Sequence, residues 1–211
     1  MAYGESQQGD PRDVGGGEPE RERFIAAFGK AASEHGYREL TVELVARYAG
    51  SSRERVEQHF ASKEEGLVAA HDAFLNRIWL DVVDACETAA EWPLKVRAAL
   101  RTVIYSLSEA STLARVFTIE ATAASLAAAE RQFAILDGFA RMLRDGRRIY
   151  PQAAELPVTT ERALVGGIAS ILFAHLLAEE PDVLATLEPE LVELLLLPFL
   201  GPSQAQQVAR S

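Results

Sequence analysis

At 211 residues, the chain is long enough for one large domain or for a small domain joined to a larger one. Hydrophobic residues make up 48% and charged residues 25%, a balance typical of a globular protein with a packed core. The net charge of −10 disfavours a protein that binds nucleic acid over its whole surface. The single cysteine excludes an internal disulfide and a cysteine-rich zinc site.

The charge is distributed unevenly along the chain. Residues 1–20 carry one Arg against five acidic residues, and residues 64–211 carry twelve Lys or Arg against twenty acidic residues. Only residues 21–63 are positive, with eight Lys or Arg against six Glu. The first segment is predicted to be a disordered acidic tail. It lacks the apolar core of a signal peptide, so we expect a cytoplasmic protein.

Helical periodicity begins at Arg21 and continues along the chain, and the sequence predicts an all-α fold. Gly36 ends the first helix, Thr41 caps a second helix that Gly50 ends, and a third short helix follows. Nine helices are expected, three before residue 67 and six after it. The later helices are expected from Ser62 to about Ala90, from Pro93 onward, and over residues 112–122, 125–149, 159–180 and 188–200.

The apolar stretch at residues 163–178 is the longest in the chain. It is shorter than the roughly 20 residues that a bilayer span needs, contains a histidine and is flanked by glutamates. We therefore interpret it as a buried helix and expect no membrane partner.

The segment "AGSS" joins the second and third helices, and this pattern predicts a helix-turn-helix. Ala46 and Ala49 let the two helices approach closely, and Gly50 allows the sharp turn between them. In such a motif the second helix enters the major groove of DNA. The sequence therefore predicts a helix-turn-helix domain at residues 21–66 and a second helical domain at residues 67–211.

Short motifs follow one another in a fixed order over about residues 23–70. They are Ala31-Ala32, Gly36-Tyr37, Thr41-Val42, Val45-Ala46, Ala49-Gly50, Ser52, His59-Phe60 and Ser62-Lys63-Glu64-Glu65. This ordered set resembles the N-terminal domain of the tetracycline-repressor (TetR) family. The resemblance implies a homodimeric transcriptional regulator, usually a repressor, that is released from double-stranded operator DNA by a small-molecule effector.

The same resemblance implies the DNA contacts. Carried over by position, Thr41 and Lys63 contact phosphates, and Glu57 stands where the family usually has a tyrosine that reaches the phosphate backbone. The other residues expected on or beside the DNA are Ser52, Arg53, Arg55, Gln58 and His59.

The two glutamates of this segment need an explanation, because a carboxylate repels phosphate. If Ser51 is the N-cap, Glu54 occupies the third helical position of a capping box and faces backbone N–H groups. Glu57 has three alternatives: it pairs with Arg53 one turn earlier, it accepts a hydrogen bond from cytosine N4, or it belongs to a motif that binds DNA weakly.

A regulator of this kind needs an effector cavity among the later helices. Aromatic and aliphatic side chains there favour a small, apolar effector, and polar residues within apolar stripes need partners that a ligand can supply. Ordinary core packing is the alternative role for each residue singly. The candidate pocket residues are His71, Phe74, Ile78, Tyr105, Phe117, Glu120, Phe133, Leu136, Asp137 and His175, with Met142 beside them.

The helices at 159–180 and 188–200 are apolar over more than one stripe, so each must bury two faces. One face can pack on its own core and the other on a second copy, which gives a two-fold four-helix interface. Two-fold symmetry then implies a palindromic operator. The candidate interface residues are Gly166, Ala169, Phe173, Leu191 and Leu195.

Enzyme motifs are missing from the sequence. It contains no G-x-G-x-x-G, Walker, H-E-x-x-H or G-x-S-x-G pattern, and its four histidines and one cysteine are scattered. We expect no catalytic residue, metal site or cofactor. The remaining alternative is a helical interaction protein of the same fold with weak or lost operator binding, which Glu54 and Glu57 favour.

Overall fold

The computed structural model describes residues 17–211, and every regular element in this range is helical, which confirms the all-α prediction. Residues 1–16 of the predicted tail lie outside the described residues, whereas residues 17–20 form the first turn of α1. The helices are α1 (Gly17–Glu39), α2 (Val42–Ala49), α3 (Arg53–His59), α4 (Lys63–Glu87), α5 (Trp92–Glu109), α6 (Ser111–Arg115), α7 (Thr122–Ala124), α8 (Leu126–Arg144), α9 (Gly146–Ile149), α10 (Thr160–Leu177), α11 (Pro181–Thr186), α12 (Glu188–Leu200) and α13 (Pro202–Arg210), with a π-helical turn at Val116–Ala121 and a 3₁₀ turn at Pro151–Ala153.

The predicted start and stop signals shape the first three helices. Gly36 interrupts the helical conformation near the end of α1, with φ 74° and ψ 172°. Thr41 caps α2 by accepting a hydrogen bond from the Leu44 N–H at 3.1 Å. Gly50 ends α2 in the left-handed conformation, with φ 61° and ψ 41°. The chain therefore turns sharply between α2 and α3, as a helix-turn-helix requires.

The core of the N-terminal bundle includes residues from well beyond α3. Phe24 and Phe28 of α1 are fully buried, and the ring of Phe28 meets the ring of Phe60 edge to face at 5.3 Å between centroids. The predicted domain boundary after residue 66 falls inside α4, which is continuous across it. Later residues that complete this core are Leu67, Ala70, Val116, Phe117, Ala121 and Ala128.

Helix α4 connects this bundle to the rest of the molecule. It begins at the predicted capping signal, where Ser62 accepts a hydrogen bond from the Glu65 N–H at 3.1 Å. At Gly66 a Cβ atom would overlap the ring of Phe28, so glycine is needed for α4 to approach α1 this closely. Phe74, further along α4, packs against both the N-terminal core and a second core.

The second core lies mainly among α4, α5, α10 and α12. The region after α3 contains ten α-helical elements among the described residues, more than the six predicted. Pro181 lies beyond the end of α10 and in the first turn of α11, a short helix that was not predicted. Helix α13 gave little periodic signal, because Ala205 and Ala209 are its only buried residues.

A buried ion pair joins α9 to the start of α10. Arg147 donates to both carboxylate oxygens of Glu161, at 2.5 and 3.0 Å, and also to the carbonyls of Leu156 and Pro157. Burial raises the pKa of Glu161, but the hydrogen bonds and charge of Arg147 outweigh it and lower that pKa overall. The pair therefore holds Glu161 in its charged form within the core.

Candidate functional site

Helix α3 packs one side on the bundle and presents the other to solvent. Val56 is fully buried, whereas Arg53, Arg55 and Gln58 are exposed. Ser52 is the N-cap of the helix, and its Oγ accepts a hydrogen bond from the Arg55 N–H at 3.4 Å. The outward side chains at the N-terminal end of such a helix are the ones that reach base edges in a helix-turn-helix.

Arg53 lies between two carboxylates. Its Nε donates to Glu57 Oε1 at 2.7 Å, which is the ion pair predicted from the spacing of four residues. Its Nη1 donates to Glu43 of α2 at 2.5 Å, a contact the sequence did not predict. The hydrogen bond to Glu57 and the charges of Glu43 and Glu57 raise the pKa of Arg53. All three side chains are about half exposed, so solvent weakens both pairs.

The predicted capping role of Glu54 is wrong in its register. The N-cap of α3 is Ser52, because the Ser51 N–H is already bonded to the Ala46 carbonyl in the C-terminal turn of α2. Glu54 is therefore the second residue of α3 and no longer the third. A hydrogen bond with Ser52 and one with its own backbone N–H lower the pKa of the Glu54 carboxyl. Its carboxylate still interacts with the start of the helix.

The first turn of α1 supplies another carboxylate to α3. Glu20, predicted to lie in the tail, accepts a hydrogen bond from Arg55, and its Oε2 lies 3.2 Å from Nε2 of His59. Burial opposes ionisation of Glu20, but the contacts with His59 and Arg55 outweigh it and lower its pKa. Arg55 also donates to Gln58 Oε1 at 3.1 Å. Both arginines of α3 are thus paired within the free chain.

A polar contact joins the end of α1 to the π-helical turn. Glu120, predicted to line the pocket, instead accepts a hydrogen bond from the Tyr37 N–H at 3.2 Å and pairs with Arg115. Lys63 lies over the Tyr37 ring, with Nζ 4.8 Å from the centroid, and its Nζ is 3.5 Å from the Tyr37 carbonyl. Tyr37 is therefore in contact with both Lys63, which is expected to touch phosphate, and Glu120 of the π-helical turn.

A cavity of about 220 Å³ lies among the C-terminal helices. Its walls come from α4, α5, α8, α10 and α12 and are almost entirely apolar. Of the residues predicted for an effector pocket, Ile78, Leu136 and Met142 line this cavity. Other lining residues include Leu75, Trp92, Val96, Leu100, Val103, Ile135, Phe139, Ile168, Leu172 and Leu195.

A more open depression of about 500 Å³ adjoins this cavity. Thr118, Gln132 and Phe173 line both spaces and so form the junction between them. Phe133, a predicted pocket residue, lines only the outer depression and is 71% exposed. Gln132 was not predicted, although it is a polar residue within the apolar stripe of α8, the same signal that singled out His71.

Three other predicted pocket residues lie at the surface. Tyr105 is 64% exposed. Asp137 pairs with Arg162 at 2.6 Å and also with Arg141. His175 Nδ1 lies 3.0 Å from a carboxylate oxygen of Glu180. Asp137 and His175 are polar residues within apolar stripes of the sequence, and each is partly exposed and paired with a charged residue nearby.

His71, Phe74 and Phe117 cluster between the two cores and line neither space. Phe117 lies 5.7 Å from the ring of His71 and 5.5 Å from the ring of Phe74, measured between centroids. Both ring nitrogens of His71 are buried without a hydrogen-bond partner among the described residues. Burial, together with the charge of Arg131, lowers the pKa of His71 to about 4. The ring is therefore neutral near pH 7.

Helices α10 and α12 leave one apolar face exposed. Of the residues predicted for a dimer interface, Gly166 lies on this face, but Ala169, Leu191 and Leu195 are buried in the chain's own core, and Phe173 lines the cavity. Each helix carries two apolar stripes, one that faces the chain's own core and one that faces solvent. The sequence prediction chose residues of the core-facing stripe for the dimer interface. The exposed residues are Gly166, Gly167, Ser170, Ile171, Ala174 and Leu177 of α10 and Leu194 and Leu197 of α12.

Among residues 17–211, α10 alone is long and apolar enough to cross a membrane by length and composition. It is not the buried helix that the sequence predicted, because only 28% of its residues are buried in the single chain. In the same part of the chain, no three His, Cys, Asp or Glu side chains are grouped so that they could hold a metal ion.

Solved structures share this fold. FadR from Bacillus halodurans, a fatty acid degradation regulator, is 21% identical over 84% of this chain and 95% of its own, with a TM-score of 0.74. FadR from Bacillus subtilis, solved with stearoyl-CoA, is 17% identical over 85% and 98%, with a TM-score of 0.67. RolR, solved with resorcinol, is 15% identical over 91% and 93%, with a TM-score of 0.66.

The sequence also matches a protein family. Residues 26–70, which span most of α1, the helix-turn-helix and the start of α4, match the family model for bacterial regulatory proteins of the tetR family. No curated protein matches the chain. The match covers the residues that carry the helix-turn-helix geometry, and the rest of the chain has the fold of regulators with that domain. Residues 26–70 are therefore similar to the DNA-binding domain of tetR-family regulators, and the chain as a whole shares the fold of these solved structures.

Proposed function

We propose that this protein is a cytoplasmic repressor that binds a palindromic operator as a homodimer and is released by a small, apolar effector. One observation carries the proposal. The π-helical turn lines the cavity through Thr118 and holds the N-terminal bundle through Glu120, which accepts the Tyr37 N–H. A ligand that displaces Thr118 therefore acts on a contact of the DNA-binding domain two residues further along.

An apolar effector fits the walls of the cavity, which are almost entirely hydrocarbon. Two proteins of this fold were solved with small molecules, stearoyl-CoA in one and resorcinol in the other. In our proposal residues 67–211 bind the effector and residues 21–66 bind DNA.

The homodimer is supported by the apolar face of α10 and α12. Gly166 and Gly167 have open space where a side chain would lie, so a second helix could approach their backbone closely. Ile171, Leu194 and Leu197 lie exposed on the same two helices. We propose that this face packs against its own copy, and the resulting two-fold axis implies a palindromic operator.

On the DNA side, we propose contacts from α2, from α3 and from the start of α4. Operator binding is best measured with DNA from upstream of the protein's own gene, at several salt concentrations. We expect sequence-specific binding that weakens steeply as salt rises, since phosphate contacts release counterions. The contact residues in this proposal are Thr41, Ser52, Arg53, Arg55, Glu57, Gln58, His59 and Lys63.

A helical interaction protein of the same fold is the second candidate. It is favoured by the pairing of Arg53 and Arg55 with carboxylates, which leaves little free positive charge on α3. Absence of sequence-dependent DNA binding even at low salt would support it and contradict the repressor.

Substituting Glu57 tests what that residue does on α3. Glu57→Tyr removes a carboxylate and releases one side of Arg53, so we expect severalfold tighter binding to all DNA sequences. If Glu57 instead accepts a hydrogen bond from cytosine N4, the same change relaxes the choice of base at one operator position. Unchanged affinity and unchanged sequence preference, measured by fluorescence anisotropy on an operator library, would exclude both roles.

A further inference from the structure

The junction between the cavity and the outer depression carries two hydrogen-bond acceptors. The Thr118 hydroxyl donates its proton to the Ala114 carbonyl at 2.7 Å, so toward other partners its oxygen is an acceptor. Thr118 is 5% exposed and lines both spaces. The π-helical turn thus presents a lone pair, and no proton, at the junction.

Gln132 of α8 supplies the second acceptor. Its Oε1 is buried and has no hydrogen-bond partner among the described residues, while the side chain lines both the cavity and the depression. A buried amide oxygen without a partner is costly, because it has lost its hydrogen bonds to water. A ligand that donates a hydrogen bond here removes that cost.

Fixed charge is lacking at this junction. The charged residues that line the inner cavity are Lys95 and Asp145, both largely solvent-exposed, and neither lines the outer depression. A carboxylate or phosphate placed against Gln132 Oε1 and the Thr118 hydroxyl oxygen would face two acceptors and no cation, which is unfavourable for an anion. An uncharged donor group meets neither problem.

We propose that Thr118 and Gln132 form the polar recognition point for an uncharged ligand that has an apolar body and one hydrogen-bond donor, such as an alcohol, a phenol or an amide N–H. The donor binds at the junction, and the apolar body fills the cavity beside Ile78, Leu136 and Met142. That this ligand is the effector rests on the proposed function, whereas its binding does not.

Three probes with the same ten-carbon chain distinguish the ligand classes: 1-decanol, methyl decanoate and decanoate. They share an apolar chain, but only the alcohol is an uncharged donor. Trp92 lines the cavity, so tryptophan fluorescence of the full chain without DNA reports binding. We expect 1-decanol to bind about tenfold more tightly than methyl decanoate, and decanoate to bind most weakly.

Substitution of Gln132 assigns the preference to the junction. In Gln132→Leu, which keeps a side chain of similar bulk and removes the acceptor, the preference for the alcohol over the ester should fall to about twofold or less. The matched control Gln207→Leu, on the exposed side of α13, should keep the tenfold preference. Thermal unfolding of each variant shows that the fold is retained.

Several outcomes would overturn the inference. They are equal binding of the three probes, tightest binding of decanoate, no binding of any probe, and an unchanged preference in Gln132→Leu. The proposed function fails separately, because these titrations contain no DNA. A protein that prefers the alcohol but binds no operator refutes the repressor alone, and one that binds its operator but shows no preference refutes this ligand class alone.

Discussion

The α3 surface and the interior beside the π-helical turn differ in whether their polar groups have partners. On α3, Arg53 contacts two carboxylates, and Arg55 contacts a carboxylate and the Gln58 amide, although water could have satisfied them all. In the interior, both ring nitrogens of His71 and the Oε1 atom of Gln132 are buried without a partner among the described residues.

This difference indicates which kind of partner each region can bind. Exposed ion pairs contribute little to stability, so phosphates and bases can replace their carboxylates at small cost. A buried group without a partner costs about 1–3 kcal/mol, and a molecule that satisfies it gains a similar amount. The surface is suited to a charged polymer, and the interior to a small molecule that carries the missing hydrogen bond.

The largest effect is expected where an interior charge is fully paired. Glu161→Ala leaves Arg147 without its carboxylate partner, and we expect urea unfolding at pH 7 to show a loss of about 3 kcal/mol. The control Asp81→Ala breaks the exposed pair with Arg77 and should cost less than about 0.5 kcal/mol. Equal losses in the two variants would contradict the distinction between interior and surface.

The next largest effect is the dependence of stability on pH that His71 causes. Its pKa is about 4 in the folded chain and about 6.5 when unfolded, so between these values the unfolded chain binds a proton that the folded chain does not. The free energy of unfolding therefore decreases as the pH falls from 6.5 toward 4. Between pH 7 and pH 5 we expect it to decrease by about 2 kcal/mol.

Substitution of His71 isolates this contribution. His71→Leu should remove the pH dependence between pH 7 and 5 and raise stability at pH 7 by about 1 kcal/mol, because two unpaired buried nitrogens are lost. His35→Gln, at an exposed histidine that contacts Tyr48, should leave the pH dependence in place. If urea unfolding shows the same pH dependence with and without His71, the assignment is wrong.

The smallest effect concerns the surface. Glu20→Gln removes the charge that pairs with Arg55 and His59, and we expect about fivefold tighter DNA binding at low salt with little change in stability. Glu22→Gln, on an exposed side chain of the same helix, is the matched control. Weaker binding in Glu20→Gln would mean that Glu20 orients Arg55 for DNA and does not compete with it.

The N-terminal region could be predicted from its sequence because its determinants are local. Thr41, Gly50 and Ser62 act on helices that begin or end beside them. The register of α3 was wrong by one residue, because Ser51 completes the turn of α2 before α3 begins. The contact of Glu20 with Arg55 spans 35 positions, and no short-range pattern reveals it.

The C-terminal region was harder to predict for two physical reasons. In α12 both stripes are apolar, so periodicity cannot tell that Leu191 and Leu195 face inward while Leu194 and Leu197 face outward. Polar residues within apolar stripes were also ambiguous. His71 is buried as that pattern suggests, whereas Asp137 and His175 find charged partners at the surface.

The absence of a side chain at Gly66 brings α4 into direct contact with α1. Because the Phe28 ring fills the space of a Cβ there, the first turn of α4 cannot roll about its own axis without carrying α1 along. Helix α1 also carries Glu20, whose carboxylate contacts Arg55 and His59 on α3. In the proposed dimer, a tilt of α4 would therefore move α1 and, through Glu20, α3, and it would change the distance between the two α3 helices.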